Sequence, residues 1–322
     1  MSGINESRWP SLTVMIPSLG RDERLQATAR DLARQDYPGW ECVIVLQGQA
    51  SEAQVSRLRA ILGERLRVFH ADEANASLAR NIGLLEARSE VVLFLDDDVV
   101  IADPDFLRHH AGHYRAPEVP GVVGQVLGPD REVRDERHPW SHHPRNGWLY
   151  FPSNFNHPAH VRNGASVNLS VRKEWALAVG GMDAQFEKGA HREESDFCLR
   201  LTDRYGLLVF DPKASLVHLG EPSGGCRNWG MNSGVHPVHH VAGEWYFILK
   251  GIRGGQILWR DLPHHLFALI RRQILNRPNL QSLRSLWRAS RRSLEGLRAA
   301  LGKLRAGPRP VGTVRRDRYR SW

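Results

Sequence analysis

Val91-Val92-Leu93-Phe94-Leu95-Asp96-Asp97-Asp98 decides how the rest of this chain is read. Five apolar residues bounded by polar ones read as a buried strand. Aspartates at its carboxyl end would project into the crevice where open α/β sheets bind ligands. Three like charges packed together repel unless a cation or hydrogen-bond donors balance them. Carboxylates are hard oxygen donors suited to Mg2+ or Mn2+, and Mg2+ commonly sits between a carboxylate or two and substrate phosphates. The stretch predicts a divalent-metal site for a phosphorylated ligand, against the plain alternative of a solvated acidic turn.

Upstream, Leu12 to Ile16 is a short β-type run stopped by Pro17, and a helical pattern follows from about Arg21 to Gln35. Cys42 to Leu46 is a second apolar run closed by Gln47-Gly48, with a helical pattern from Ser51 to Leu62 behind it. Leu66 to Phe69 reads as a third strand and Ser77 to Ala87 as a third helix. Such alternation with short connections predicts an α/β fold with a parallel sheet covered on both faces. Downstream, Gly128 to Gly164 is rich in Pro, His, Trp and Asn and reads as a long loop or irregular insertion. Patterns resume with a strand from Ala165 to about Val171, helices over Lys173 to Val179 and Glu193 to Tyr205, and two short strands, Leu207 to Phe210 and Ser215 to His218. After about Gly243 the chain is basic and helical, and no internal repeat is visible.

A chain of 322 residues holds one large α/β domain with an extension, or two domains. Its 41% hydrophobic and 25% charged content is that of an ordinary soluble protein. Cys42, Cys198 and Cys226 have no CxxC spacing, which argues against a zinc site or disulfide framework and for reduced thiols in the cytosol. The first residues lack the apolar core of a signal peptide. Val241 to Trp259 comes nearest to a membrane span, but Glu244, Lys250 and Arg253 interrupt it. These features predict a cytoplasmic chain that does not span a membrane. The formal charge of +9 is concentrated after Arg253, in pairs such as Arg271-Arg272, Arg291-Arg292 and Arg315-Arg316. Such a tail suits anionic lipid, nucleic acid or an anionic saccharide.

Several short motifs follow one another along the chain: Val14-Met15-Ile16-Pro17-Ser18, Ala79-Arg80-Asn81-Ile82-Gly83, Phe94-Leu95-Asp96-Asp97-Asp98, Gly164-Ala165-Ser166-Val167-Asn168, Val179-Gly180-Gly181-Met182-Asp183, Arg192-Glu193-Glu194-Ser195-Asp196-Phe197 and Val217-His218-Leu219. In this order and spacing they resemble the family 2 glycosyltransferases, which have the GT-A fold. The likeness runs from roughly Ser11 to Arg227, about two thirds of the chain. One departure stands out. The second strand in many members ends in paired aspartates before Gly-Ser, whereas here it ends Leu46-Gln47-Gly48-Gln49. By position Gln47 faces the base, and an amide offers it both a donor and an acceptor.

The resemblance implies a GT-A catalytic domain over 10–228, with a donor half over about 10–127 and an acceptor half over about 128–228. A basic, mainly helical extension over 229–322 follows. It also implies a metal-dependent, inverting transfer of a sugar from a UDP-, GDP- or dTDP-linked donor to a hydroxyl on a saccharide or lipid-linked acceptor, in cell-surface polysaccharide, lipopolysaccharide or glycolipid synthesis. A divalent metal, Mg2+ or Mn2+, would be held by Asp98 and His218. Pro17, Ser18, Gln47, Arg80, Asp96 and Asp97 would bind the nucleotide sugar, with Arg227 joining from a glycine-hinged loop at Gly224-Gly225. Glu194 carries over as the general base, although this position is usually aspartate. Gly164, Ala165, Glu193 and Asp196 would line the acceptor side, and acidic residues in a first helical turn are also favoured by the helix dipole alone. Flat rings suit sugar faces, so Trp148, in the stretch with His138, Trp140, His142 and His143, joins the acceptor side. Leu262, Leu266, Leu269 and Ile270 interleave with Arg271, Arg272 and Arg277 as an amphipathic helix able to lie on the inner membrane face. No nucleic acid is expected as a partner. The competing readings are a nucleotidyltransferase on a similar sheet, for which Ser18-Leu19-Gly20-Arg21 is a faint glycine-rich loop, and a non-catalytic basic protein binding nucleic acid or membrane.

Overall fold

Leu12–Leu19 (β1), Trp40–Gln47 (β2), Leu66–Ala71 (β3) and Val91–Leu95 (β4) form a parallel block in the order β3-β2-β1-β4. Both faces of these strands are buried, as their nearly continuous apolar sequences require. Val14 and Ile16 point into one cluster with Leu25, Ala29 and Leu32 of Asp22–Ala33 (α1) and Leu58 of Glu52–Leu62 (α2). Met15, Val43 and Val45 point the other way, against Leu78, Ala79 and Ile82 of Ala76–Glu86 (α3). Ser51 and Asn75 cap α2 and α3, their side chains accepting from the amides of Gln54 and Leu78. Gly83 lets α3 lie close on β1, because a Cβ there would collide with Met15. The computed structural model describes residues 9–136, 153–188, 191–225, 237–270 and 283–322.

The other half of the sheet is mixed rather than parallel. Val99–Val100 (β5), Phe106–His113 (α4) and Gly121–Leu127 (β6) follow the aspartates, and none of the three was anticipated from the sequence. Ala159–Val161 (β7) is a short strand inside the long irregular stretch, and Asn168–Arg172 (β8) runs antiparallel to both β4 and β6. Lys173–Ala178 (α5) and Glu193–Tyr205 (α6) lie where the helical patterns predict. The two short strands expected after them are one strand, Leu208–His218 (β9), which pairs with β5, β6 and β7. Pro212 lies where the β6–β9 register shifts, so the missing proline N–H falls at an irregularity. Pro17 likewise does not end β1. The strand pairs with β4 only as far as Met15, so proline sits beyond the ladder on that side.

Within this half His110 is buried between Ser170 Oγ at 2.9 Å and Asn168 Oδ1 at 2.8 Å. Burial pushes its pKa down to about 4. The Asn168 amide also donates to the carbonyls of Gln125 and Ala214, tying β8 to β6 and to β9 beyond it.

The basic segment is stitched to the rest. Val238–Arg253 (α7) buries Tyr246, Phe247 and Ile248 with Phe186, with Leu199 of α6 and with Ala300 of Leu283–Ala306 (α9). Leu262–Ile270 (α8) lies between them in sequence. Tyr319–Ser321 (β10) then pairs antiparallel with β3, so the chain ends as an edge strand of the sheet it began. Among the described residues no helix is long and apolar enough to cross a membrane.

Candidate active site

The three aspartates leave β4 in a turn held from two sides. The Thr28 hydroxyl on α1 donates to the Asp97 carbonyl at 3.0 Å, and Leu219 N donates to the Asp98 carbonyl at 2.9 Å. The antiparallel β5–β9 ladder sets Val99 opposite His218, which brings the imidazole beside Asp98. His218 Nε2 lies 3.2 Å from Asp98 Oδ1, while Glu221 N donates to Oδ2 at 3.1 Å. Burial pushes the Asp98 carboxyl up, but His218, Arg21 and the Glu221 amide together outweigh it and hold the group below the ordinary aspartate range. Ligand atoms of Asp96, Asp98 and His218 all lie within 4.8 Å of one another. Two carboxylates and an imidazole at that spacing fit Mg2+ or Mn2+. The pair expected from the motifs, Asp98 with His218, thus gains Asp96.

Asp97 faces elsewhere. It accepts from Ser18 Oγ at 2.7 Å and from Arg21 Nη1 at 3.0 Å. Burial outweighs these two partners and pushes its pKa up to about 6.

Arg80 joins the two halves. From α3 its Nη2 donates to Asp96 Oδ1 at 3.0 Å, and its Nη1 donates to Glu193 Oε1 at 3.1 Å across the domain. Glu193 is buried, and desolvation together with the neighbouring Glu194 charge raises its pKa well above the usual glutamate value, against the pull of Arg80. Glu194 itself is partly exposed. The turn launching α6 is unusual: Arg192 has φ of 78°, a left-handed conformation uncommon for any residue but glycine and held only by strong surroundings. Those surroundings come from α7, where Glu244 pairs with Arg192 at 3.3 Å and with His191 at 2.7 Å.

Asp196 is buried and accepts from Arg200 and Lys250, each at 2.8 Å, so it braces α6 against α7. Lys250 also reaches Asp183 at 2.7 Å, with the Tyr246 hydroxyl on the same carboxylate. Gly164 packs on Val123, which a Cβ would approach to 2.5 Å, and Ala165 is partly buried beside it. Ser18 and Gln47 line a cavity of about 680 Å³ at the carboxyl ends of β1 and β2, shared with Arg21, Gly48, His70 and Arg320. The half-buried Pro17 lies one residue before it on β1. Gln47 Nε2 donates to the carbonyls of Asn75 at 2.8 Å and Glu73 at 3.2 Å. Two carbonyl neighbours fix which way the amide faces and leave Oε1 as its acceptor. Trp148 and Arg227 lie outside the described residues, as do His138, Trp140, His142 and His143.

Sequence reasoning missed Arg21, Glu244 and Lys250. Arg21 carried one local signal: a cation at the start of a helix opposes the dipole and calls for a partner. Glu244 and Lys250 read only as interruptions of an apolar stretch.

Comparison with known proteins agrees with this geometry. The family profile described as Glycosyl transferase family 2 matches residues 13–176. The "Glucosyl-dolichyl phosphate glucuronosyltransferase" of Haloferax volcanii is 25% identical over 228 residues, which is 65% of this chain and 68% of that protein. The "O-antigen biosynthesis protein RfbC" of Myxococcus xanthus is also 25% identical, over 65% of this chain but only 17% of its own length. Among solved structures, a mannosyltransferase from Pyrobaculum calidifontis in complex with GDP-Man and Mn2+ superposes with a TM-score of 0.55 at 16% identity, over 95% of this chain and 79% of that one. That last likeness is one of fold.

Proposed function

Because this chain belongs to glycosyl transferase family 2 and is a glycosyltransferase with the GT-A fold, we propose that it transfers one sugar, with inversion, from a nucleotide-sugar donor to a hydroxyl acceptor. Family membership sets aside the nucleotidyltransferase and non-catalytic readings. The observation that carries the mechanism is the convergence of Asp96, Asp98 and His218, linked through Arg80 to the Glu193–Glu194 pair.

A dication held by Asp96, Asp98 and His218 would supply Lewis-acid stabilisation of the leaving nucleoside diphosphate. The other roles fall to the chain itself. Ser18 and Gln47 hold the nucleoside in the cavity at the β1 and β2 ends, where Gln47 Oε1 accepts from an N–H on the base edge. Arg80 holds Asp96 and Glu193 through its two terminal nitrogens. Glu194 is the base that takes the proton of the acceptor hydroxyl. Asp196 acts through the position of α6, while Gly164 and Ala165 shape the acceptor side. Arg227 and Trp148 are assigned to diphosphate and acceptor on their motif context alone.

Thermal unfolding of the protein with UDP, GDP, dTDP and their sugars, each with and without Mn2+, tests this reading. One nucleotide set should raise Tm by roughly 5 °C at saturation, and only with the metal. Indifference to every nucleotide, or to Mn2+, would count against it.

The acceptor we propose is a lipid-linked or cell-surface saccharide met at an anionic membrane. The names of the Haloferax and Myxococcus relatives support that class. So does α9, whose exposed face alternates Trp287, Leu294 and Leu301 with Arg291, Arg298 and Arg305. Apolar and cationic residues so interleaved suit the headgroup region. The α8 residues expected to face lipid do not all do so, because Leu269 is buried and Leu262 packs inward, leaving Phe267 exposed. The chain should co-sediment with vesicles containing phosphatidylglycerol, and W287S/L294S should reduce that by about tenfold at unchanged fold. Equal sedimentation of the variant, or of wild type with neutral vesicles, would remove the membrane from the proposal.

A further inference from the structure

Arg21 stands just ahead of α1, whose first turn carries Asp22 and Glu23, yet its side chain is only 11% exposed and pairs with Asp97 and Asp98 instead. Its Nη1 lies 3.0 Å from Asp97 Oδ1 and 3.0 Å from Asp98 Oδ2. Its Nε donates to the Ser223 carbonyl at 3.0 Å and its Nη2 to the Gly224 carbonyl at 3.2 Å. One guanidinium thus spans the acidic turn and the segment that follows His218.

The segment is shaped to it. Gly224 and Gly225 have φ of 73° and 53°, conformations that favour glycine. A Cβ on Gly224 would sit 2.6 Å from Arg21 Cγ, and one on Gly225 would sit 3.0 Å from its Cζ. The Glu221 amide shares Asp98 Oδ2 with Arg21, so the same segment also holds the carboxylate. Asp98 therefore already has a cation of the protein's own on one oxygen and His218 on the other.

We propose that Arg21 is a resident counter-cation of this site: it neutralises Asp98 and clamps residues 221–225 in the metal-free protein, and exchanges Asp98 for a phosphate oxygen when a dication and nucleoside diphosphate bind. The inference rests on the metal reading above. Two cations on one buried carboxylate repel strongly, so Arg21 and a dication compete for Asp98. The displaced guanidinium is a planar fork matched to phosphate, and its contacts to the Ser223 and Gly224 carbonyls are neutral, so the segment travels with it.

Calorimetric titration of the full chain with MnCl2 alone, and with UDP or GDP in saturating Mn2+, tests this in wild type, R21Q and R21K, with hydrogen exchange of residues 219–225 alongside. R21Q should take up Mn2+ alone about tenfold more tightly, having lost the competitor. It should bind the nucleoside diphosphate about tenfold more weakly, having lost the phosphate partner. Protection of 221–225 should fall in R21Q, while R21K, which keeps the charge without the fork, should keep near wild-type Mn2+ affinity but lose protection. Mn2+ affinity in R21Q that is unchanged or weaker than wild type overturns the proposal. Should R21Q not fold, G224A gives the same reading, because its Cβ displaces Arg21: tighter Mn2+ uptake supports the exchange and unchanged or weaker uptake overturns it. Mn2+ binding by neither wild type nor variants refutes the metal site itself, a different result from binding in wild type without a gain in the variants.

Discussion

Glu194→Gln lowers kcat by about 10²–10⁴-fold while the donor dissociation constant and the unfolding temperature stay near those of wild type. The amide keeps the size of the side chain, so the loss isolates the proton-accepting role. Glu193 makes the prediction specific to position 194. It is buried and engaged by Arg80, so it is not placed to replace its neighbour as base. Steady-state kinetics beside a calorimetric donor titration separate the two effects. Turnover at a near-normal rate in E194Q would move the base elsewhere.

Arg80→Met should have the largest effect on stability. The guanidinium is 5% exposed and serves Asp96 and Glu193 at once, so its removal leaves carboxylates facing each other across the domain. Breaking a buried pair in this way costs about 3–5 kcal/mol, and proton uptake by Glu193 offsets part of that. A fall in Tm of roughly 5–10 °C is expected. Arg57→Met is the control, because its pairing with Asp22 is solvent-exposed on both sides and contributes little. Equal melting of R80M and R57M would show that Arg80 does not hold the halves together.

The sequence made the parallel block legible because each of its strands and helices is a local apolar pattern with a turn or cap nearby, as at Ser51 and Asn75. The motif residues Asp96, Asp98, Arg80 and His218 were legible through their resemblance, and the fold does bring them together. What could not be read was pairing at a distance. His218 and Asp98 are 120 positions apart, and their contact depends on β5 and β9 meeting in one register. The same holds for the bracing of Asp196 by Lys250 and of Arg192 by Glu244, which lie in a segment that reads only as basic and helical. Proline misled once. Pro17 looks like a strand stop in isolation, but the sheet places it beyond the end of the β1–β4 ladder, where its missing N–H is not needed on that side. Arg21 was hidden because its partners, Asp97 and Ser223, are remote in sequence and its own neighbours suggest only a helix start.

Everything proposed for catalysis depends on a dication seated between Asp96, Asp98 and His218. Anomalous scattering at the manganese edge, from crystals soaked with MnCl2 and UDP or GDP, reads this out in one map. The expected density lies within bonding distance of the Asp98 carboxylate and His218 Nε2, with the diphosphate on its open side. A map without that density, with both side chains turned away from the nucleotide, would contradict it.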